Sequence, residues 1–538
     1  MSVRNAFASL LAIFGLLFLG ACGSSSPKAV APPTGGFNAS TLNGTYVFST
    51  AGFNADGYFM AIVGALQANG SGGVSGTVDV VTSDPALGVS PNQAISSGSY
   101  KVGPDGRGQI VFNVNTTGNG ATGFTLDFVL SSSSHGLITE FDNVGSGSGT
   151  IDLQGTVAQP TGSYTFSIAG TGPGQAAASF ATVGTMTLGS SGAVSAGVQD
   201  FNNGGGATTD QAILTSSSVT AGTGTTPGVA TLATALGTFT FDVYAIDSTH
   251  FKLVETDGQL ILLGDAFTQS STLPTSSTLT YTMSGSDGTG LPVSVAGFMP
   301  LDGNSNVTSG ALEDFNDNGT VGLGGSFGGG FSALAGGRSV LTLTGFQNGS
   351  TNDIAGTYVF AAYPFTSNGV TGMELLEIDG LGVTSGTAYV QTGTDFAASQ
   401  GYGLNVSAVN TSQISSGSEF EEDDIAEFTA TSSTAFSGIE DVSDEGISFF
   451  YDQSLSGAIA AGPTGEFAVT INANNNFNLF NFNLYAVNDS TFLVLETDGA
   501  QIGTGVVEIQ NSSATPGGEP GIIHPQARPG AHVALRRR

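Results

Sequence analysis

The sequence predicts an all-β protein made of four tandem modules, each a meander of about eight antiparallel strands. Three observations carry this. Short Phe, Val and Leu runs alternate with Gly-, Ser- and Thr-rich turns, in a chain of 538 residues with 82 Gly, 36 Phe and only 10% charged residues. One ending recurs four times without a gap: "ITEFDNVGSGSGTIDLQ", "LVETDGQLILLGDAFTQ", "LLEIDGLGVTSGTAYVQ" and "VLETDGAQIGTGVVEIQ". Finally, Phe124, Leu126, Phe128 and Leu130 alternate with Thr125, Asp127 and Val129, and Phe480, Phe482, Leu484 and Ala486 repeat the pattern. Period-two alternation of this kind puts one strand face in a core and the other against water.

The N-terminus reads MSVRNAFASLLAIFGLLFLGAC. One cation, Arg4, precedes an apolar run from Ala6 to Leu19. That run falls short of the roughly 20 residues a membrane-spanning helix needs, and it suits an export signal over residues 1–21. The cut region Leu19-Gly20-Ala21-Cys22 resembles the lipobox of bacterial lipoproteins. The resemblance implies that Cys22 is diacylated and becomes the mature N-terminus, anchored by two or three acyl chains. Gly23 follows where Asp would signal inner-membrane retention, so the expected address is the outer membrane. No later segment is apolar enough to span a membrane as a helix. Residues 22–41 read as a flexible tether.

The four modules are expected at 42–155, 156–270, 271–392 and 393–511. Tyr46, Tyr164, Tyr281 and Tyr402 mark their openings; each closes on E-x-D-x6-G-x4-Q, with Gln154, Gln269, Gln391 and Gln510 last. In the first module strands are expected near 44–50, 58–66, 73–81, 95–102, 108–114, 123–130, 135–142 and 149–154. "IAGTYVFAAYP" at 354–364 also looks like an opening, but the gapless spacing places it late in the third module. Closing each meander into a small barrel removes exposed edges, so a barrel is favoured over a β-sandwich. The opening "LNGTY" and the strand rhythm resemble the start of calycin-type barrels, which hold small ligands. Residues 512–538 show no periodicity and are expected to be a disordered tail.

Charge narrows the function classes. The chain holds 10 Lys and Arg against 42 Asp and Glu. Within the modules the cations are Lys101, Arg107, Lys252 and Arg338. Such a body repels phosphate backbones, which argues against nucleic-acid binding. Cys22 is the sole Cys, so no internal disulfide or thiolate site is expected.

The repeated carboxylate pairs are Glu140/Asp142, Glu255/Asp257, Glu377/Asp379 and Glu496/Asp498. Residues i and i+2 of a strand share a face, about 6.5–7 Å apart, a separation an inverting glycan hydrolase could use. Four equivalent tandem sites are unusual for an enzyme, and a strand end is where solvated carboxylates are common. These are therefore repeated acidic marks of unassigned role, and no catalytic residue is named. Asp314, Asn316 and Asn318 match the first half of a calcium loop, but its twelfth position is Gly325 rather than Glu. "DFNNGG" and "DVSDEG" recur at similar phases, and all three also suit a polar turn. The run "EFEEDD" at 419–424 reads as a solvated loop. His135 and His250 occupy matching positions near hairpins and read as surface residues. No cofactor is expected, calcium being the one candidate.

The lipobox, the "GTYVF" starts and the E-x-D ends together resemble uncharacterised multi-repeat lipoproteins of environmental, particularly acidobacterial, bacteria. That resemblance implies no activity. The leading expectation is a non-enzymatic, lipid-anchored cell-envelope protein with a structural, adhesive or interaction role. A solute- or glycan-binding lipoprotein is the alternative, and a carboxylate-dependent glycan hydrolase the third reading. Its partners would be the membrane, through Cys22, and an envelope or extracellular protein or glycan.

Overall fold

The structure is a computed structural model that describes residues 36–512 apart from 117–119, 175–178, 205, 347–356, 411–420, 445–447 and 473–480. The signal, Cys22 and the tail beyond 512 lie outside the described residues. The end of the segment read as a tether belongs to the first module. Phe37 and Leu42 are buried in its core, and a 3-10 turn at Ala39–Thr41 is capped by Asn38.

The all-β expectation holds. In the first sheet the opening strand, Asn43–Asn54, pairs with the second, Phe59–Asn69, and with the last, Gly145–Leu153. From those two neighbours the meander runs outward on both sides, ending at Val89–Ala94 and Ser97–Val102. The two ends then meet: Gly73 bridges Ser99, and the Tyr100 N–H donates to the Gly72 carbonyl at 2.9 Å. The second sheet, also of nine strands, repeats this order and closes where Ala193 bridges Ser218. The third has ten strands and closes where Leu301 bridges Val307. The fourth is a closed barrel of eight. "IAGTYVFAAYP" contributes an inner strand, Thr357–Ser367, of the third module. A sandwich is thereby excluded, and the pairing of first with last strand is what a closed meander requires.

The barrel interiors are filled. Phe48, Phe112, Phe124 and Phe128 share the first core; Tyr164, Phe166, Phe241 and Phe251 the second. Phe327, Phe346, Tyr358 and Phe360 occupy the third, and Phe428, Phe436, Phe482 and Phe492 the fourth. Each such side chain contributes about 1.5–3 kcal/mol on burial. The four opening tyrosines lie in these cores.

The invariant glycine of the ending has a steric cause. Gly149, Gly264, Gly386 and Gly505 each face the opening strand of their barrel. A Cβ there would be driven into the carbonyl oxygen of Ser49, Ser167, Thr282 or Asn405 respectively. Close approach of two strands admits glycine alone.

The closing glutamines join neighbouring barrels. Gln154 Nε2 donates to the Ala245 carbonyl at 2.8 Å, and Gln391 Nε2 to that of Ala486 at 3.0 Å. Gln269 Nε2 reaches the Gly336 carbonyl at 3.1 Å. Gln510 Nε2 donates to the Leu130 carbonyl, in the first barrel, at 3.0 Å. The next backbone N–H repeats the rule: Gly155 to Ile246, Ser270 to Pro364, Thr392 to Val487 and Asn511 to Ser131, all between 2.6 and 3.1 Å. The fourth barrel therefore docks on the first, and the four form a closed ring.

Candidate functional site

The repeated acidic pairs divide into two roles. In every module the Asp spans a turn with both oxygens. Asp142 Oδ2 accepts from Thr125 N–H and Oδ1 from Val144 N–H, at 2.6 and 2.8 Å. Asp257 does the same with Thr240 and Gln259, Asp379 with Val359 and Leu381, and Asp498 with Asn481 and Ala500. A carboxylate accepting two N–H groups ties the strand end to its neighbour.

The Glu of each pair is buried, not solvated. Glu140, Glu255, Glu377 and Glu496 are at most 2% exposed. Each sits two residues past a core side chain (Ile138, Leu253, Leu375 or Val494), so strand alternation points it into the end of its own barrel. Burial pushes the Glu255 carboxyl up to about 9, and its shared hydrogen bond with Asp257 adds to the rise. Burial followed by the adjacent Asp also carries Glu140 and Glu377 well above the carboxylate range. Asp257 moves the other way: against burial, its hydrogen bonds from Glu255 and the Gln259 N–H hold it below the usual carboxylate value, whereas burial raises Asp142 to about 6.

A second set of carboxylates lies between barrels. Asp79, Asp200, Asp314 and Asp441 occupy equivalent strand positions, each accepting a backbone N–H from the next strand through Oδ1. Across the second junction Asp200 Oδ2 receives Arg338 Nε at 2.5 Å and the Tyr363 hydroxyl at 2.8 Å. Across the third, Asp314 Oδ2 receives the Tyr485 hydroxyl at 2.5 Å and Asn483 Nδ2 at 3.0 Å. Across the fourth, Asp441 pairs with Arg107 at 3.2 Å. The "DFNNGG", "DFNDNG" and "DVSDEG" motifs thus supply strand residues at junctions rather than only turns. Asn316 donates to carbonyls of Glu496, Asp498 and Gln501, and only Asn318, at φ 46°, sits in the hairpin turn. The calcium candidates Asp314 and Asn316 are therefore engaged by the protein itself. Among the described residues no group of three or more His, Cys, Asp or Glu is set to hold a metal ion.

Inside the ring, ionisable groups form a buried chain. His135 Nδ1 lies 2.7 Å from Asp152 Oδ1, and Nε2 lies 3.2 Å from Glu508 Oε1 of the fourth barrel. In the second barrel, Asp265 Oδ1 accepts from His250 Nε2 at 2.7 Å and from Lys252 Nζ at 3.2 Å. Burial would raise the Asp152 carboxyl, but the charge on His135, followed by its hydrogen bond and by Lys252, holds it well below its usual range. Glu374 of the third barrel, pushed up to about 8 by burial and then by Asp265, continues the chain. Both histidines are buried, at 3% and 6% exposure, and neither is a surface residue. His135 has a carboxylate on each ring nitrogen, one of them from the fourth barrel, whereas His250 has one, on Nε2, from its own barrel.

The acidic run is likewise not a loop. Glu421–Ser432 is a strand, and Glu421, Glu422, Asp423 and Asp424 are buried; residues 419 and 420 lie outside the described residues. Asp423 faces the first barrel and accepts from Ser146 and Ser148 hydroxyls at 2.5 and 2.6 Å. Glu422 and Asp424 point into the fourth barrel beside Gln501, which hydrogen-bonds Glu422. Sequence reasoning missed these junctions, although one signal was present. Of four module cations, Arg107, Lys252 and Arg338 all serve the ring.

No family model matches the chain, and no curated protein matches it. Solved structures do. Isotype 1 transferrin binding protein B from serogroup B Neisseria meningitidis aligns at 10% identity over 71% of this chain and 85% of its own, with TM-score 0.19. Two mutant forms of transferrin binding protein B from Haemophilus parasuis Hp5 align at 7% and 8% identity over 91% of this chain and 99% of theirs, with TM-scores 0.20 and 0.19.

Proposed function

We propose that this protein is a non-enzymatic, lipid-anchored component of the cell envelope, a rigid four-barrel ring held at the outer membrane by acyl chains on Cys22. It acts through its outer surface, as a structural or adhesive element toward an envelope or extracellular protein or glycan. The observation that carries this reading is the filled interior of each barrel. Aromatic and aliphatic side chains occupy the space where a barrel-bound solute would sit. The carboxylates that suggested hydrolysis are committed to turns, barrel ends and junctions. No catalytic role is assigned to them.

The anchor is tested by growing cells with radiolabelled palmitate and fractionating their membranes. Wild-type protein should carry label in the outer-membrane fraction, and Cys22→Ser should lose the label and leave that fraction. Label retained by Cys22→Ser, or unlabelled wild-type protein in the soluble fraction, overturns the reading.

A further inference from the structure

The ring is closed by one junction that joins chain segments far apart in sequence, and its inner side rests on an imidazole. His135 has a carboxylate on each ring nitrogen: Asp152 of its own barrel and Glu508 of the fourth. A neutral imidazole carries one N–H, so it can donate to one of them and leaves a lone pair facing the other. With both partners as carboxylates, both contacts are made only by the imidazolium. The three side chains are 4%, 11% and 6% exposed, which leaves little room for water to substitute.

The other junctions use donors that keep their protons at mildly alkaline pH. Asn92 Nδ2 donates to Asp242 across the first junction, Arg338 holds Asp200 at the second, and Tyr485 and Asn483 hold Asp314 at the third. At the fourth, Arg107 binds Asp441 and Asp452. Asp423 is held there by neutral serines. Behind Asp152, the second barrel presents Lys252 and His250, with Asp265 between them. Among the described residues no group of three or more His, Cys, Asp or Glu is set to hold a metal ion there.

We infer that His135 is a proton-operated latch: as an imidazolium it bridges the last barrel to the first, and loss of that proton weakens this junction, which Gln510, Arg107 and the serines on Asp423 also hold. Burial alone would lower the imidazole, but Glu508 and then Asp152 outweigh it and set His135 well above its ordinary 6.5. Its contribution is thus complete below pH 6.5 and is lost as pH rises through the folded-state value. The ring is latched at neutral pH and loosens in alkali.

Hydrogen exchange on the full chain between pH 6 and 9.5, corrected for intrinsic rates, tests this. Protection should fall at least tenfold in His135–Phe141 and Gln501–Ile509 with rising pH, and by more than in Pro292–Pro300 or Thr357–Ser367, strands at other junctions that carry no carboxylate. His135→Gln should be insensitive to pH at the same strands. Nitrogen NMR of histidine-labelled wild-type protein gives an independent arm that needs no variant: His135 should be protonated on both nitrogens at pH 7. A neutral His135 at pH 7, an equal loss of protection at all four junctions, or an unchanged pH profile in His135→Gln overturns the latch.

Discussion

At the scale of the residue, a carboxylate motif serves folding in two different ways. The Asp accepts from two N–H groups, and the Glu two residues earlier is buried at a barrel end. Glu255, fully buried with its carboxyl raised to about 9, gives this a measurable sign. The unfolded chain releases the Glu proton near pH 4.5 and the folded chain holds it, so the folding stability from this group is greatest below about pH 4.5 and declines toward pH 9. Glu255→Gln keeps the shape and removes the titration. Urea unfolding at pH 5 and pH 8 should show wild type losing stability with rising pH and the variant losing less; parallel slopes would contradict the assignment. The motif was legible in the sequence, but its burial was not. A carboxylate at a strand end is written the same way whether it faces water or a barrel end. The phase was available, since Leu253 and Glu255 share a face, yet apolar burial at Leu253 does not by itself say how far the core extends.

At the scale of the element, alternation and turn chemistry exposed most strands. In the first module the eight expected segments all fall on strands. The additional one, Val89–Ala94, carries Pro91 and polar side chains and lies at the barrel's seam, where pattern reading is weakest. "DFNDNG" was misjudged for a related reason. Asp and Asn favour turns locally, and here inter-barrel hydrogen bonds outweigh that preference. The glycine of the ending makes a sharp prediction. Gly264→Ala forces two paired strands apart against the Ser167 carbonyl, an overpacking cost of about 1–3 kcal/mol or more. Its urea midpoint should drop accordingly, whereas Gly174→Ala, with φ 93° and open space around it, should show only a smaller backbone cost.

At the scale of the whole molecule, four repeats were readable but their closure into a ring was not. The His135–Glu508 contact joins positions 373 residues apart, and no periodicity encodes such a pairing. Scarcity of cations was the only trace. Arg338, 3% exposed against the fully buried Asp200, shows what each one does. Removing one partner of a buried ion pair costs about 3–5 kcal/mol. Arg338→Ala should lower the calorimetric transition and split off a component, because the second and third barrels lose their shared carboxylate clamp; a single unshifted peak would show that this junction does not couple them. The ring also brings the first and last described residues together. Phe37 N–H donates to the Pro104 carbonyl at 3.1 Å, and Gln510 Nε2 donates to that of the adjacent Asp105 at 2.8 Å. Entry and exit are side by side on one hairpin of the first barrel. Nearby ends are what make circular permutation permissible. In topological terms the described ends meet at the junction that closes the ring, so a chain rejoined there and opened between two other barrels should keep the same necklace.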